Sequence, residues 1–274
     1  MKKDITVSVV MPVYNSQDYI KEAIESVLGQ IFRDFEFIIV DDHSTDGTVD
    51  IIKTYADDRI RLIFCEHNYI NTLNTGIEAC KGKYIARMDS DDIMTIDRLQ
   101  IQVEFMEKRP EISICSGWAQ CFGSTNNIIK VPQTHKEISN KLIYENSLIH
   151  PATMIRRKCF TPEIKYQNYL YAEDYKLWID FMQNGFLFAG IPEIIHLYRH
   201  HENQITMKNY NEMMKNTSEI KFEYIQYIIE SISKNNKEYS GLLTQVVEAA
   251  NKKIISFESL THILGNIHYD YINS

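Results

Sequence analysis

No glycine-rich phosphate loop occurs in this sequence. Its ten glycines form neither GxxxxGKS/T nor GxGxxG, which excludes a P-loop and a dinucleotide-binding fingerprint. CxxC pairs are missing too. The five cysteines (Cys65, Cys80, Cys115, Cys121 and Cys159) are odd in number and scattered, against both a disulfide framework and a structural zinc site. No apolar run is long enough to span a bilayer. The first such run, in MKKDITVSVVMPVYN, is broken by Thr6, Ser8 and Pro12 and reads as a strand. Basic blocks are also lacking, and with a net charge of −8 the chain would repel a phosphate backbone, so no nucleic acid is expected as a partner. These absences point to a reducing, cytoplasmic compartment, with peripheral contact at the inner face of a membrane left open. An acidic chain can still handle anionic small molecules if a divalent cation sits between them.

What is present is ordinary globular material, 44% apolar and 24% charged over 274 residues, enough for one large α/β unit with or without a helical extension. ITVSVVMPVYN alternates and stops at Pro12, as a strand entering a loop should. Ile20, Ala23, Ile24, Val27 and Leu28 then follow helical spacing. FEFIIV (35–40) is a continuous apolar run of the kind buried on both faces of a parallel sheet. IRLIFC (60–65) and KYIARM (83–88) continue the strand series, with helices between, and a further helix from Ile96 stops near Pro110. Such alternation predicts an open parallel sheet with helices on both faces. Beyond Pro110, ISICSGWAQCF, ATMIRR and EIIHLYRHH read as strands, EDYKLWIDFMQNG as a helix, and 207–274 as two or three helices.

Ligands of an open parallel sheet bind at the carboxyl ends of its strands. Three of the first four predicted strands end in polar clusters, PVYN, DDHSTD and DSDD. One acidic turn is usually a solvated loop, whereas three polar exits on one edge make a site. Without a glycine cradle, phosphates need another source of positive charge. Paired carboxylates holding Mg2+ or Mn2+ supply it, because hard cations take oxygen ligands and keep positions open for phosphate oxygens. Asp89 and Asp91 suit that role, since on a strand-like segment they point to the same side. Asp92 stays open between a second ligand and the cap of the next helix.

The segments VSVVMPVYNSQDYIKEAIESVLGQ, FEFIIVDDHSTDGT and KGKYIARMDSDDIMTIDRLQIQ resemble the N-terminal half of family-2 glycosyltransferases. HPATMIRR and YAEDYKLWIDFMQNG are similar to the acceptor-side half of bacterial members. The resemblance implies an α/β, GT-A Rossmann-like, mostly parallel sheet flanked by helices. Its nucleotide-binding half would be 1–110, its acceptor half 111–206, and a C-terminal helical extension 207–274. It further implies inverting transfer of a sugar from a nucleotide-diphosphate donor, a UDP-sugar, to a hydroxyl of a saccharide or lipid-linked saccharide. The setting would be bacterial surface-polysaccharide biosynthesis, and the cofactor Mn2+ or Mg2+.

Residue by residue, Tyr14 would lie against the base with the Pro12–Val13 backbone beside it; the plainer reading is a strand-end aromatic packed on the core. Asp41 and Asp42 would reach base and ribose, or are acids favoured at a helix start. Arg87 would sit near the diphosphate, or simply pair with an aspartate. Asp89 would contact the ribose or the metal, and Asp91 the metal. Asp174, with Glu173 as the alternative, would be the base that takes the acceptor proton; two acids opening a helix is the plainer reading. His150 would touch the acceptor or complete the metal shell, or is structural. His200 and His201 receive no role, because neighbours on a strand point to opposite faces.

One departure stands out. EHNYINTLNTG places Glu66 and Asn68 where the family has an Asn-x-Gly pattern, so Asn68 is expected to keep a left-handed turn and Glu66 to add negative charge near the donor. Residues 207–274 are expected to cover the acceptor cleft, pair two copies as a homodimer, or rest on a membrane surface. A sugar-nucleotide nucleotidyltransferase would carry a Gly- and Arg-rich loop where MPVYNSQDY stands. A non-catalytic nucleotide-sugar-binding relative would lack one of Asp42, Asp89, Asp91 and Asp174, all of which are present.

Overall fold

The computed structural model describes residues 5–201, 209–235, 237–256, 259–260 and 263–264. Strand and helix alternate first as β1 (Val7–Val13), α1 (Ile20–Leu28), β2 (Phe35–Asp41), α2 (Thr48–Lys53), β3 (Ile60–Phe64), α3 (Tyr69–Ala79) and β4 (Tyr84–Arg87). Next come β5 (Ile93–Met94), α4 (Arg98–Lys108), β6 (Ile112–Gly123), β7 (Ile128–Ile129), α5 (His135–Leu142), β8 (Thr153–Arg156), α6 (Glu173–Gln183) and β9 (Leu187–His200). Two further helices follow, α7 (Tyr210–Asn235) and α8 (Lys237–Asn251). Of the helical region expected from 207 onward, 207–208, 236, 257–258, 261–262 and 265–274 lie outside the described residues. Among the described residues no helix is long and apolar enough to cross a membrane.

All strands join one sheet in the order β3-β2-β1-β4-β8-β6-β9-β5, with β7 on β6. The first four are mutually parallel, and β9 is parallel to β6. β8, β5 and β7 run the other way. The sheet is therefore mostly parallel, as expected, and its strand order reverses between β1 and β4, where such sheets open a crevice.

Every residue of β1 and β2 is buried, so alternate positions serve opposite faces. Val7, Val9 and Met11 pack with Ile20, Ile24 and Leu99 of α1 and α4. Val10, Ile38 and Val40 face the other side, toward α3. There a Cβ on Gly76 would come within 2.6 Å of Val10 Cγ1, so α3 approaches β1 this closely only because that residue is glycine. Pro12 remains within β1, paired to Val40. Its missing N–H is harmless because pairing to β4 ends at Val10–Arg87, and the proline faces the side where β4 has already stopped. A second cluster surrounds Trp178 and takes in Ile220, Tyr224 and Ile228 of α7, which seats the C-terminal helices against α6.

Arg98, the first residue of α4, is fully buried and ties the sheet together. Its guanidinium donates to the carbonyls of Arg87 (2.8 Å), Pro151 (2.6 Å) and Thr153 (3.2 Å) and to Gln102 Oε1 (3.0 Å). It also lies 3.2 Å from His196 Nδ1 in β9. Burial pulls this guanidinium down to about 9, which still leaves it charged at neutral pH. Arg98→Met is expected to lower the free energy of urea unfolding by about 3 kcal/mol, because three buried carbonyls lose their donor. An unchanged urea midpoint would remove Arg98 from this structural role.

Candidate active site

The carboxyl ends of β1 and β2 carry loops zipped to each other. Asn15 N donates to Ser44 Oγ and Thr45 N to Asn15 Oδ1, while Asn15 and His43 take left-handed backbone (φ 47° and 66°). Tyr14 stands at the exit of β1, 42% exposed, and so is not the core aromatic of the plainer reading. Its ring lies 4.4 Å from that of His67. Asp42 is fully engaged: Oδ1 accepts from Asn68 N and Thr72 Oγ1, both at 2.7 Å, and Oδ2 lies 3.0 Å from His67 Nδ1. Asp41 Oδ2 accepts from Ser44 N, whereas its Oδ1 is buried and has no partner. Asn68 is extended (φ −161°) and caps α3 by accepting from Asn71 N. The left-handed turn expected there is not formed, because capping the helix needs the extended conformation. Glu66 is exposed.

After β4 the acidic loop folds around Arg87, which is buried and donates to Asp89 Oδ1 (2.7 Å) and Tyr69 Oη (3.1 Å). Asp89 and Asp91 keep 30% and 29% of their side chains exposed, enough to meet a ligand. Asp92, at 1% exposure, cannot. Its Oδ1 accepts from Arg199 N (2.8 Å), and its Oδ2 lies 2.7 Å from His196 Nε2. It does not cap α4 either: β5 intervenes, and the cap position falls at Asp97. One oxygen from each of Asp89, Asp91 and Asp92 lies within 4.8 Å of the others. Burial first, then the charges of Asp89 and Asp92, push Asp91 up to about 6. Self-repelling carboxylates with two open members are a donor set that fits Mg2+ or Mn2+. His201 stands beside them, Nε2 3.1 Å from Asp91 Oδ2, its ring 4.8 Å from Tyr19.

The third part is the start of α6. Asp174 accepts from Asn146 Nδ2 (2.6 Å) and from Tyr175 N (2.7 Å), and burial raises its pKa. Glu173 is buried with Oε2 unpartnered. Burial, and behind it the charge of Asp174, push it up to about 8. His150 is buried against Trp178, and its Nε2 is 2.7 Å from Tyr166 Oη. Burial keeps it neutral, and it does not join the carboxylate group. Pro12, Val13, Tyr14, Asp41, Asp42, Arg87, Asp89, Asp91, Glu173 and Asp174 thus gather at one end of the fold, with His150 set back in the core.

Sequence reasoning missed His201, His196, Arg199 and Asn146. The signal for the first three was the direction of EIIHLYRHH: a strand parallel to β6 delivers its carboxyl end to the same edge as the acidic loop. Alternation along that strand lets one of the two terminal histidines reach Asp91 by itself.

Comparison with known proteins identifies the family. A model of glycosyl transferase family 2 matches residues 8–162. An uncharacterized glycosyltransferase of Haemophilus influenzae is 32% identical over 294 residues, covering 94% of this chain and 90% of that protein. UDP-Glc:alpha-D-GlcNAc-diphosphoundecaprenol beta-1,3-glucosyltransferase WfaP of Escherichia coli is 28% identical, covering 78% of this chain and 85% of that one. The crystal structure of S. aureus TarS 1-349 in complex with UDP-GlcNAc aligns with TM-score 0.66 at 18% identity, over 95% of this chain and 79% of that one. In complex with UDP it aligns at 0.63 and 21% identity, over 79% of this chain and 65% of that one. At such identities the structural likeness speaks for the fold alone.

The buried Glu173 makes stability depend on pH. Its ordinary value is 4.5 and its folded value about 8, so between these the folded protein holds a proton that the unfolded chain has released. Stability on this account falls as pH rises through that window. Glu173→Gln is therefore expected to be more stable than the parent at pH 8 and close to it at pH 5, measured by urea unfolding at both. The same stability difference at the two pH values would refute a raised Glu173.

Proposed function

The chain belongs to glycosyl transferase family 2, and on that premise we propose that it transfers a sugar, with inversion, from a UDP-sugar to a hydroxyl of a lipid-linked saccharide during bacterial surface-polysaccharide synthesis. The observation that carries this reading is the meeting, at one sheet edge, of the open Asp89–Asp91 pair with Glu173–Asp174 around the buried Arg87. The relative WfaP, by its name, uses UDP-Glc and a diphosphoundecaprenol-linked GlcNAc, which supports the choice of donor and acceptor class.

In this reading Tyr14 and the Pro12–Val13 backbone receive the base. Asp41, with a buried oxygen free, accepts from the uracil N–H. Asp42 holds the start of α3 in place beneath the ribose. Asp89, Asp91 and His201 would hold Mn2+ or Mg2+, which when bound neutralises the charge of the departing diphosphate. Arg87 fixes Asp89. Asp174 takes the proton from the acceptor hydroxyl as that oxygen bonds to the anomeric carbon and the bond to the diphosphate breaks. Asn146 and the Tyr175 amide keep its carboxylate oriented, and a protonated Glu173 beside it adds no further negative charge. His150 supports the acceptor side from the core.

UDP titrated by calorimetry is expected to bind with Mn2+ present and only weakly with chelator. Asp91→Ala should lose the metal-dependent part. Binding that ignores the metal would sink the cation bridge. Asp174→Asn should keep UDP binding while transfer falls at least about a hundredfold, followed as UDP release over a panel of nucleotide sugars. Full activity in that variant would remove Asp174 as the base.

A further inference from the structure

At the sheet edge opposite the candidate active site, five basic side chains surround a pocket of about 470 Å3: Lys81, Lys83, Arg156, Arg157 and Lys158, with Ile5. The topology explains their meeting. Ile5 precedes β1, Lys81 and Lys83 precede β4, and Arg156 ends the antiparallel β8, so all of them lie where β1 and β4 begin. The active-site loops leave the far end of β1, roughly 20 Å away along its length.

Positive charge is in surplus here. Among the described residues, only Lys83 has a carboxylate within ion-pair distance, Glu107 at 2.6 Å. Arg156 spends its guanidinium on the carbonyls of Met106, Arg109 and Ile112 and on Tyr84 Oη, none of which cancels its charge. Arg157 donates from Nε to Gly82 O (2.8 Å), which among the described residues leaves both Nη groups for another partner. The nearby buried carboxylate, Glu36, is turned inward onto Ser8 Oγ and Lys81 N, each at 2.6 Å. In a chain of net charge −8, such a concave group of like charges focuses a positive potential. Guanidinium and ammonium donors in that arrangement match phosphate oxygens.

We propose that this pocket is a second anion site, separate from the candidate active site, that takes a phosphate-bearing ligand, either a free diphosphate or the headgroup of an anionic lipid. The proposal does not depend on the reaction proposed above. Lys81 and Lys158 are exposed, and their ammonium groups can be removed while the carbonyl contacts of Arg156 and Arg157 stay intact. The test uses the full chain and the K81Q/K158Q variant. Inorganic pyrophosphate is titrated by calorimetry without divalent cation, and both proteins are sedimented with phosphatidylglycerol and with phosphatidylcholine vesicles. The parent is expected to bind pyrophosphate saturably, or to sediment with phosphatidylglycerol alone, and the variant to do so at least about tenfold more weakly. Pyrophosphate binding without vesicle binding assigns a soluble ligand, and vesicle binding assigns the lipid. Metal-dependent UDP binding should be equal in the two proteins, which separates this site from the other edge. Neither kind of binding, or equal binding by parent and variant, would overturn the proposal.

Discussion

The buried guanidinium of Arg98 is the fastening on which the rest of this structure hangs. It holds the ends of β4 and β8 through carbonyls and so fixes β4, one of the two strands that frame the crevice, against its antiparallel neighbour. Because an arginine can only donate, His196 Nδ1 must accept from it, and His196 Nε2 must then carry the proton that is given to Asp92. Burial keeps that histidine neutral. The tautomer chosen in the core thereby orients Asp92 and, with the Arg199 amide, closes off both its oxygens. Asp89 and Asp91 are left as the open carboxylates.

An acidic chain that gathers carboxylates at one sheet edge has to balance its own field locally. The members of this GT-A site do so in graded fashion. Arg87 is buried among tyrosines and one aspartate, where its charge is poorly screened. Asp91 is held against its neighbours at the cost of mutual repulsion, which a cation would relieve. Glu173 avoids the same cost by keeping its proton. Burial raises both acids at the start of α6, Glu173 further under the added charge of Asp174, and Asp174 accepts from two donors where one oxygen of Glu173 finds none.

Much of this was legible in the sequence. Buried parallel strands announce themselves as continuous apolar runs, as FEFIIV does, and KYIARM continues the strand series. Polar residues at their exits, Tyr14, Asp41 and Asp91 among them, followed from the rule that such sheets bind ligands at carboxyl ends. Local periodicity could not report partners chosen across the sheet. Asp92 was ambiguous because its donors lie 104 and 107 residues later. A cap and a left-handed turn favour the same side chain, so the identity of Asn68 alone does not distinguish the two. The sequence leaves His150 open between acceptor, metal shell and a structural role, and the ring of Trp178 and the hydroxyl of Tyr166 claim it for the last.

The late arrival of β9 has a consequence for how the molecule is made. The acidic loop leaves the ribosome about a hundred residues before the strand that completes it. Until that strand inserts beside β6, Asp92 has neither of its donors, and an apolar edge of the half-formed sheet stays uncovered. Closure by so distant a segment is entropically slow, and incomplete sheets with open edges are prone to aggregate. A nascent chain cut short before His196 would hold the loops after β1 and β2 but no settled acidic loop, so the sheet edge is complete only once the final strand has docked.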